Sequence, residues 1–239
     1  MPKKPRKPDE KFKVWGNVFD EFTNKTIFKL ISGGYFDGLE SPISIGKESN
    51  LFSALGKQGR VMVKIYRLET CDFNRMYDYL KDDPRYSDLK GKKRKVIFTW
   101  VQREYRNLMK ARSADVRVPA PLAFKNNVLV LEFIGQEENA PKLKDQWPRE
   151  LKKFFDEIVE SMGRLYHAGL VHADLSAFNI LNFNEHPVFI DFSQTTPLDD
   201  PNAERFLNRD VKNLCAFFGK AGLKTDAEKT LEKIKNKKF

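Results

Sequence analysis

Along these 239 residues the spacing of apolar positions changes several times, and each change marks a predicted element. In FDEFTNKTIFKLI, residues 19–31, Phe19, Phe22, Ile27, Leu30 and Ile31 recur at near-helical spacing and the run stops at Ser32-Gly33-Gly34, a helix with a glycine terminator. Two short strands follow around ISIG and NLFSAL, and Lys57-Gln58-Gly59 reads as a hairpin turn into a third, RVMVKIYR. In that strand Val61, Val63 and Ile65 share one face; Met62, Lys64 and Tyr66 share the other. Residues 70–95 are polar and charged and read as a long mobile loop. A helix resumes near Phe98 with Trp100, Glu104, Leu108 and Ala111 on or beside one stripe, where a carboxylate is out of place. VRVPAPLAF then turns into NNVLVLEFIG, a central strand ending at Glu132-Phe133-Ile134-Gly135, and Gly135 to Gln146 reads as a linker. Asp145 is the expected cap of the next helix, with Pro148 in its first turn. Leu151, Phe154, Phe155, Ile158, Val159, Met162, Leu165 and Tyr166 give that helix its apolar stripe, which ends at Gly169. The order predicts an α+β chain: a basic extension over residues 1–18, a β-rich N-lobe over 19–135 and a helical C-lobe over 136–239.

Composition narrows the class. The formal net charge is +10, with basic runs at Lys3 to Lys7, Lys90 to Lys95 and Lys233 to Lys238, so an RNA-rich partner is expected alongside the plainer reading of a solvated surface. Only Cys71 and Cys215 are present, far apart, which suggests neither a disulfide framework nor a zinc site and fits a reducing cytoplasm. No stretch approaches the roughly eighteen apolar residues of a membrane span, so a soluble protein is expected.

The chemistry lies after the long helix, in LVHADLSAFNILNFNEHPVFIDFSQ. Asn179 follows Asp174 by five residues, and Asp191 closes the apolar strand VFI. In protein kinases this spacing places one Asp to take or orient the acceptor proton, with Asn and a second Asp holding magnesium, for which oxygen ligands are suited. Such a site also needs an upstream lysine in a strand and a glutamate in a helix. Lys64 and Glu104 qualify: each would be costly to bury alone, and facing each other they solve both problems. His167 and His186 read as structural, and His172 as a brace of the catalytic loop.

SIGKESN, residues 44–50, fails as a Walker loop, since Ser41 stands where the first Gly is needed and Glu48 where Ser or Thr must follow Lys47. It nevertheless lies between two strands, one hairpin before Lys64, where a kinase folds its loop over the triphosphate. Gly46 permits close backbone approach, and Lys47, Ser49 and Ser44 are candidate phosphate contacts.

Gly46-Lys47-Glu48, His172 to Asn179 and Ile190 to Gln194 together resemble the Rio family of atypical serine/threonine kinases, over about Phe19 to Phe218. The Leu-Ser and Ser-Gln pairs resemble its type one branch. The resemblance implies a bilobal protein-kinase-like fold with a reduced C-lobe and binding of ATP and Mg2+, with Mn2+ as a substitute. It also implies phosphoryl transfer with Asp174 as base and Lys64 on the phosphates, Asn179 and Asp191 as metal ligands, and the backbone of Glu132 to Ile134 meeting the adenine. Asp191 is then the residue that itself accepts the phosphoryl group in an ATPase-like cycle, and pre-ribosomal small-subunit RNA and proteins are the implied partners. Rival readings are a kinase acting in trans on a protein or small molecule, with Ser87 one open acceptor, and a catalytically silent RNA-binding scaffold.

Overall fold

The computed structural model describes residues 19–80 and 89–236. The basic extension, Ser87, Lys237 and Lys238 lie outside the described residues.

Helix α1 (Glu21–Ser32) starts where the Asp20 carboxylate accepts the Thr23 amide at 3.0 Å and the Thr23 hydroxyl at 2.6 Å, satisfying a free N-terminal N–H. Five antiparallel strands follow: β1 (Leu39–Ile45), β2 (Ser49–Gly56), β3 (Gly59–Tyr66), β4 (Pro121–Lys125) and β5 (Val128–Glu132). Their order is β1-β2-β3-β5-β4, so β3 and β5 are interior, as the VLVLE run suggests. Pro42 sits on edge strand β1, where a missing N–H interrupts the ladder least, and the register shifts around it.

The alternation along β3 sorts its side chains into two cores. Val61, Val63 and Ile65 join Ile27 and Leu30 of α1, with Phe52, Val128 and Val130, on the outer face of the sheet. Met62 and Tyr66 join the inner cluster, which runs through Leu129, Leu131 and Trp100 to the C-terminal helices. Burying each such large apolar side chain contributes about 1.5–3 kcal/mol, so the inner cluster ties the sheet firmly to the helical half.

Residues 70–95 are only partly the loop that their polarity predicts. Phe73–Asp78 forms a short helix, α2, capped by Asp72, and Met76, Leu80 and Leu89 are buried in the inner cluster. Six residues are too few to display a helical period, and their burial is decided by distant partners. The basic run Lys93–Lys95 opens helix α3 (Lys93–Ser113) rather than preceding it.

Helix α4 (Leu151–His167) carries the expected stripe but begins after Glu150. Asp145 does not cap it: this carboxylate pairs with Lys144, and its amide donates to the Lys142 carbonyl at 2.9 Å. Short strands β6 (Leu170–Val171), β7 (Ile180–Phe183), β8 (His186–Phe189) and β9 (Thr196–Pro197) follow. Helices α5 (Ala203–Lys220) and α6 (Ala227–Asn236) complete the order, with α6 packed on α4 and α5. Between the two halves, a Cβ on Gly135 would lie 2.0 Å from the Glu138 carbonyl oxygen, so the chain can turn there only without a side chain.

Candidate active site

A cleft of about 1030 Å³ opens between the inner face of the sheet and β7–β8, and most of the residues singled out by sequence line it. Ser44, Gly46, Lys47 and Ser49 form its roof, Lys64 and Glu104 its back, Ile134 the connecting edge, and Asn179 and Asp191 its floor.

The roof is the β1–β2 hairpin. The Gly46 amide donates to the Ser49 carbonyl at 3.0 Å, and a Cβ on Gly46 would lie 3.0 Å from that same oxygen, so a side chain there would press on the turn and need it to give by a few tenths of an ångström. Behind it, the Thr70 hydroxyl donates to the Lys47 carbonyl at 2.6 Å, and the Arg67 amide to the Glu48 carbonyl at 2.9 Å. The Cys71 thiol donates to that Glu48 carbonyl as well, at 3.1 Å. These tethers are invisible in sequence, because they join residues 19 to 23 apart across the whole β2–β3 hairpin.

At the back, Lys64 Nζ lies 2.7 Å from Glu104 Oε1 and 3.1 Å from Asp191 Oδ1, with side-chain exposures of 8%, 1% and 41% respectively. Burial alone would lower the Lys64 pKa; the charges of Asp191 and Glu104 outweigh it and hold the ammonium well above its ordinary value. The second Glu104 oxygen accepts the Tyr66 hydroxyl at 2.6 Å, a partner that lies two residues from Lys64 on the same strand face. For Asp191, burial raises the pKa, but the Lys64 charge, the Ser193 hydroxyl at 2.8 Å and the Lys64 hydrogen bond together bring it down to about 2. Asp191 is therefore ionised at neutral pH, and it sits at φ +63°, a left-handed conformation that L residues with a Cβ rarely adopt.

On the floor, Asn179 Nδ2 donates to the Asp174 backbone carbonyl at 2.8 Å and to Asp174 Oδ2 at 3.1 Å. Burial, then the neighbouring Asp191 charge, push the Asp174 carboxyl above the usual carboxylate range. His172 is buried and its Nε2–H donates to the Ile190 carbonyl at 3.1 Å, bracing the Asp174 loop against the strand that delivers Asp191. Burial lowers the His172 pKa to about 4, so the ring is neutral and transfers no protons here.

Two residues fall outside the lining. Asp174 stands beside Asn179, bonded to it, and is not part of the lining. The Glu132 side chain is engaged away from the cleft: Arg117 grips its carboxylate at 2.7 and 2.9 Å, the Ala120 amide donates to it at 2.9 Å, and its own amide donates to the Ala120 carbonyl. Phe133 and Ile134, the next residues of the same segment, line the cleft edge. Met62, Leu108, Leu131, Leu181 and Ile190 add apolar lining that sequence reasoning did not single out, although Met62 lies on the Lys64 face of β3. Such an apolar slot with a few convergent polar groups suits a nucleobase.

A five-stranded antiparallel sheet with a lysine–glutamate pair, set above a floor with an Asp–Asn pair and a second Asp, defines a protein-kinase-like fold. Solved structures share it. The Rio2 kinase of Chaetomium thermophilum, described as an ADP/Mg2+-phosphoaspartate complex, superposes with a TM-score of 0.69 at 21% identity, covering 90% of this chain and 66% of that one. Residues 50–231 match the RIO domain, and the chain belongs to the RIO family of atypical serine/threonine kinases. It is 41% identical over 228 residues to the RIO-type serine/threonine-protein kinase Rio1 of Haloferax volcanii, covering 95% of this chain and 79% of that protein. Identity to the Rio1 of Methanocaldococcus jannaschii is 42%, covering 90% and 74%. The human serine/threonine-protein kinase RIO1 is 35% identical, covering 84% of this chain and 37% of that longer protein.

Proposed function

We propose that this chain is an ATP- and Mg2+-dependent phosphotransferase in which Asp191 itself accepts the γ-phosphoryl group and then releases it to water. The observation that carries this reading is the Asp191 carboxylate: ionised, partly open to the cleft, and fixed by Lys64 at 3.1 Å and Ser193 at 2.8 Å. One of its oxygens receives both of these contacts, which leaves the other to face the nucleotide. Asn179 spends its Nδ2 on Asp174, leaving its carbonyl oxygen as a hard donor; with Asp191 it fits Mg2+, or Mn2+ in its place. When bound, the ion neutralises charge on the β- and γ-phosphate oxygens.

The protein groups divide the remaining work. Lys64 draws the phosphates toward the floor, and the Gly46-to-Ser49 turn closes over them. An Asp191 oxygen forms a bond to the γ-phosphorus as the bond to the β–γ bridging oxygen breaks, and ADP leaves with that oxygen. Asp174 then takes a proton from water, which attacks the phosphorus and returns Asp191 as a carboxylate with inorganic phosphate. The raised Asp174 pKa favours proton acceptance.

The exposed basic first turn of α3, Lys93 to Lys95, supports small-subunit precursor RNA and its proteins as partners in a cycle of ribosome maturation, whereas Lys233 and Lys235 of α6 are paired with Asp156 and Glu204. The two buried free thiols, Cys71 and Cys215, support a cytoplasmic setting. Among the described residues no helix is long and apolar enough to cross a membrane.

Single-turnover reaction with γ-labelled ATP and Mg2+ tests the reading. The expected result is labelled protein whose label is released by hydroxylamine and absent in Asp191→Asn. A hydroxylamine-stable label on serine or threonine, surviving in Asp191→Asn, would instead establish conventional hydroxyl phosphorylation.

A further inference from the structure

The Asp174 carboxylate has a second partner that the reaction as drawn does not use. Gln194 Nε2 lies 3.4 Å from Asp174 Oδ2. At the other end of the same amide, Gln194 Oε1 accepts the Tyr79 hydroxyl at 2.8 Å and Arg75 Nη2 at 3.4 Å. A guanidinium donates and never accepts, so the amide cannot be turned over without setting NH₂ against Arg75. Its donor end is thereby aimed at Asp174.

The support behind Gln194 is rigid. The Tyr79 ring packs edge-on against Trp100 and in parallel against Phe206, with centroids 5.8 Å apart in both cases. Arg103, buried on α3, donates to the Tyr79 carbonyl on one side and to the Thr195 carbonyl at 3.0 Å on the other, clamping the residues that flank the contact. Asn107 adds hydrogen bonds to the Phe192 and Thr195 carbonyls at 3.0 and 3.1 Å, fixing the turn that carries Gln194. Tyr79 also closes the segment that begins at Arg67 and Thr70, the residues that tether the roof of the cleft.

We infer that Gln194 and Tyr79 are positioning residues for Asp174, acting in series: Tyr79 orients the Gln194 amide, and the amide fixes the carboxylate rotamer that meets the acceptor. Asn179 constrains the same oxygen but spends its other contact on the Asp174 backbone, so two donors from different elements define the carboxylate plane. The segment over 67–80 thus joins the phosphate-facing turn to the proton-accepting group. The inference rests on Asp174 being the base proposed above.

Single-turnover rates and ATP affinities of the full chain test it, comparing Tyr79→Phe, Gln194→Ala, the double variant and Asp174→Ala. Tyr79→Phe keeps the ring packing and removes only the hydroxyl. Each single change should slow turnover about two- to tenfold, the range that one neutral hydrogen bond supports, with ATP affinity unchanged. Because the two act in series, the double variant should be no slower than Gln194→Ala. Unchanged turnover in both single variants, additive losses, or a loss of ATP affinity equal to the loss of rate would overturn it. If Asp174→Ala itself retains turnover, the reading of Asp174 as base fails; if Asp174→Ala is inactive while both single variants are at full speed, only the positioning role fails.

Discussion

Glu104→Leu is the sharpest test of the buried charge cluster. The substitution removes a carboxylate that is 1% exposed and strands the Lys64 ammonium, which is itself 8% exposed. Breaking a buried pair by deleting one partner typically costs about 3–5 kcal/mol; because Asp191 still faces Lys64 at 3.1 Å, the low end applies. The Tyr66 hydroxyl loses its acceptor as well, which adds about 1 kcal/mol. A total near 4 kcal/mol corresponds to a fall in melting temperature of about 8–16 °C for a chain of this size. Thermal melting followed by circular dichroism gives the shift directly. The companion experiment removes the buried lysine, tyrosine and glutamate together: Lys64→Met with Tyr66→Phe and Glu104→Leu leaves Asp191, whose side chain is 41% exposed and keeps the Ser193 hydroxyl at 2.8 Å. The triple variant should therefore recover most of the lost stability while remaining unable to turn over ATP, since Lys64 is gone. If the triple variant melts as low as Glu104→Leu, or if Glu104→Leu melts within a degree or two of the parent, the destabilisation does not come from an uncompensated charge and the reasoning is wrong.

Acid sensitivity should trace in part to His172. Its folded-state pKa of about 4 lies below the ordinary 6.5, so the unfolded chain binds the extra proton; the stability it contributes is complete above pH 6.5 and is lost as pH falls through 4, by about 3 kcal/mol. In His172→Asn that component of the pH–stability curve should vanish, and an unchanged slope between pH 6.5 and 4 would contradict a neutral buried imidazole. If the basic runs bind precursor RNA, log affinity should fall with log salt by about 0.7–0.9 per phosphate neutralised; a flat response would mean that these lysines are merely solvated.

The chemistry was more legible in this sequence than its surroundings. Lys64 and Glu104 betray themselves because a charge on an apolar strand face and a charge beside an apolar helical stripe each demand a partner, and the only economical arrangement is with each other. Asp174, Asn179 and Asp191 are legible from spacing, since one tight loop and one short strand fix their separation. What stayed hidden depends on side chains meeting across long stretches of chain. Nothing local says that Glu132 turns to Arg117, or that six residues of a charged segment fold into α2 and deliver Tyr79 to Gln194. Asp145 resembles a helix cap in every local respect, yet it pairs with Lys144, its amide closes a turn onto the Lys142 carbonyl, and the helix starts only after Glu150.

The two-sided sorting along β3 has a consequence for how the chain finds its fold. β3 pairs with β2 through eight consecutive residues and with β5 through five, so its register is set on both flanks. A slip of one residue would turn every side chain of the strand over. Val63 and Ile65 would then face the cleft, and the Lys64 ammonium would be driven among Ile27, Phe52 and Val130, with no anion in reach. That misaligned sheet is disfavoured by the same residue proposed above to draw the phosphates: in the folding chain, Lys64 acts as an alignment key, admitting one pairing of the central strands and rejecting its neighbours.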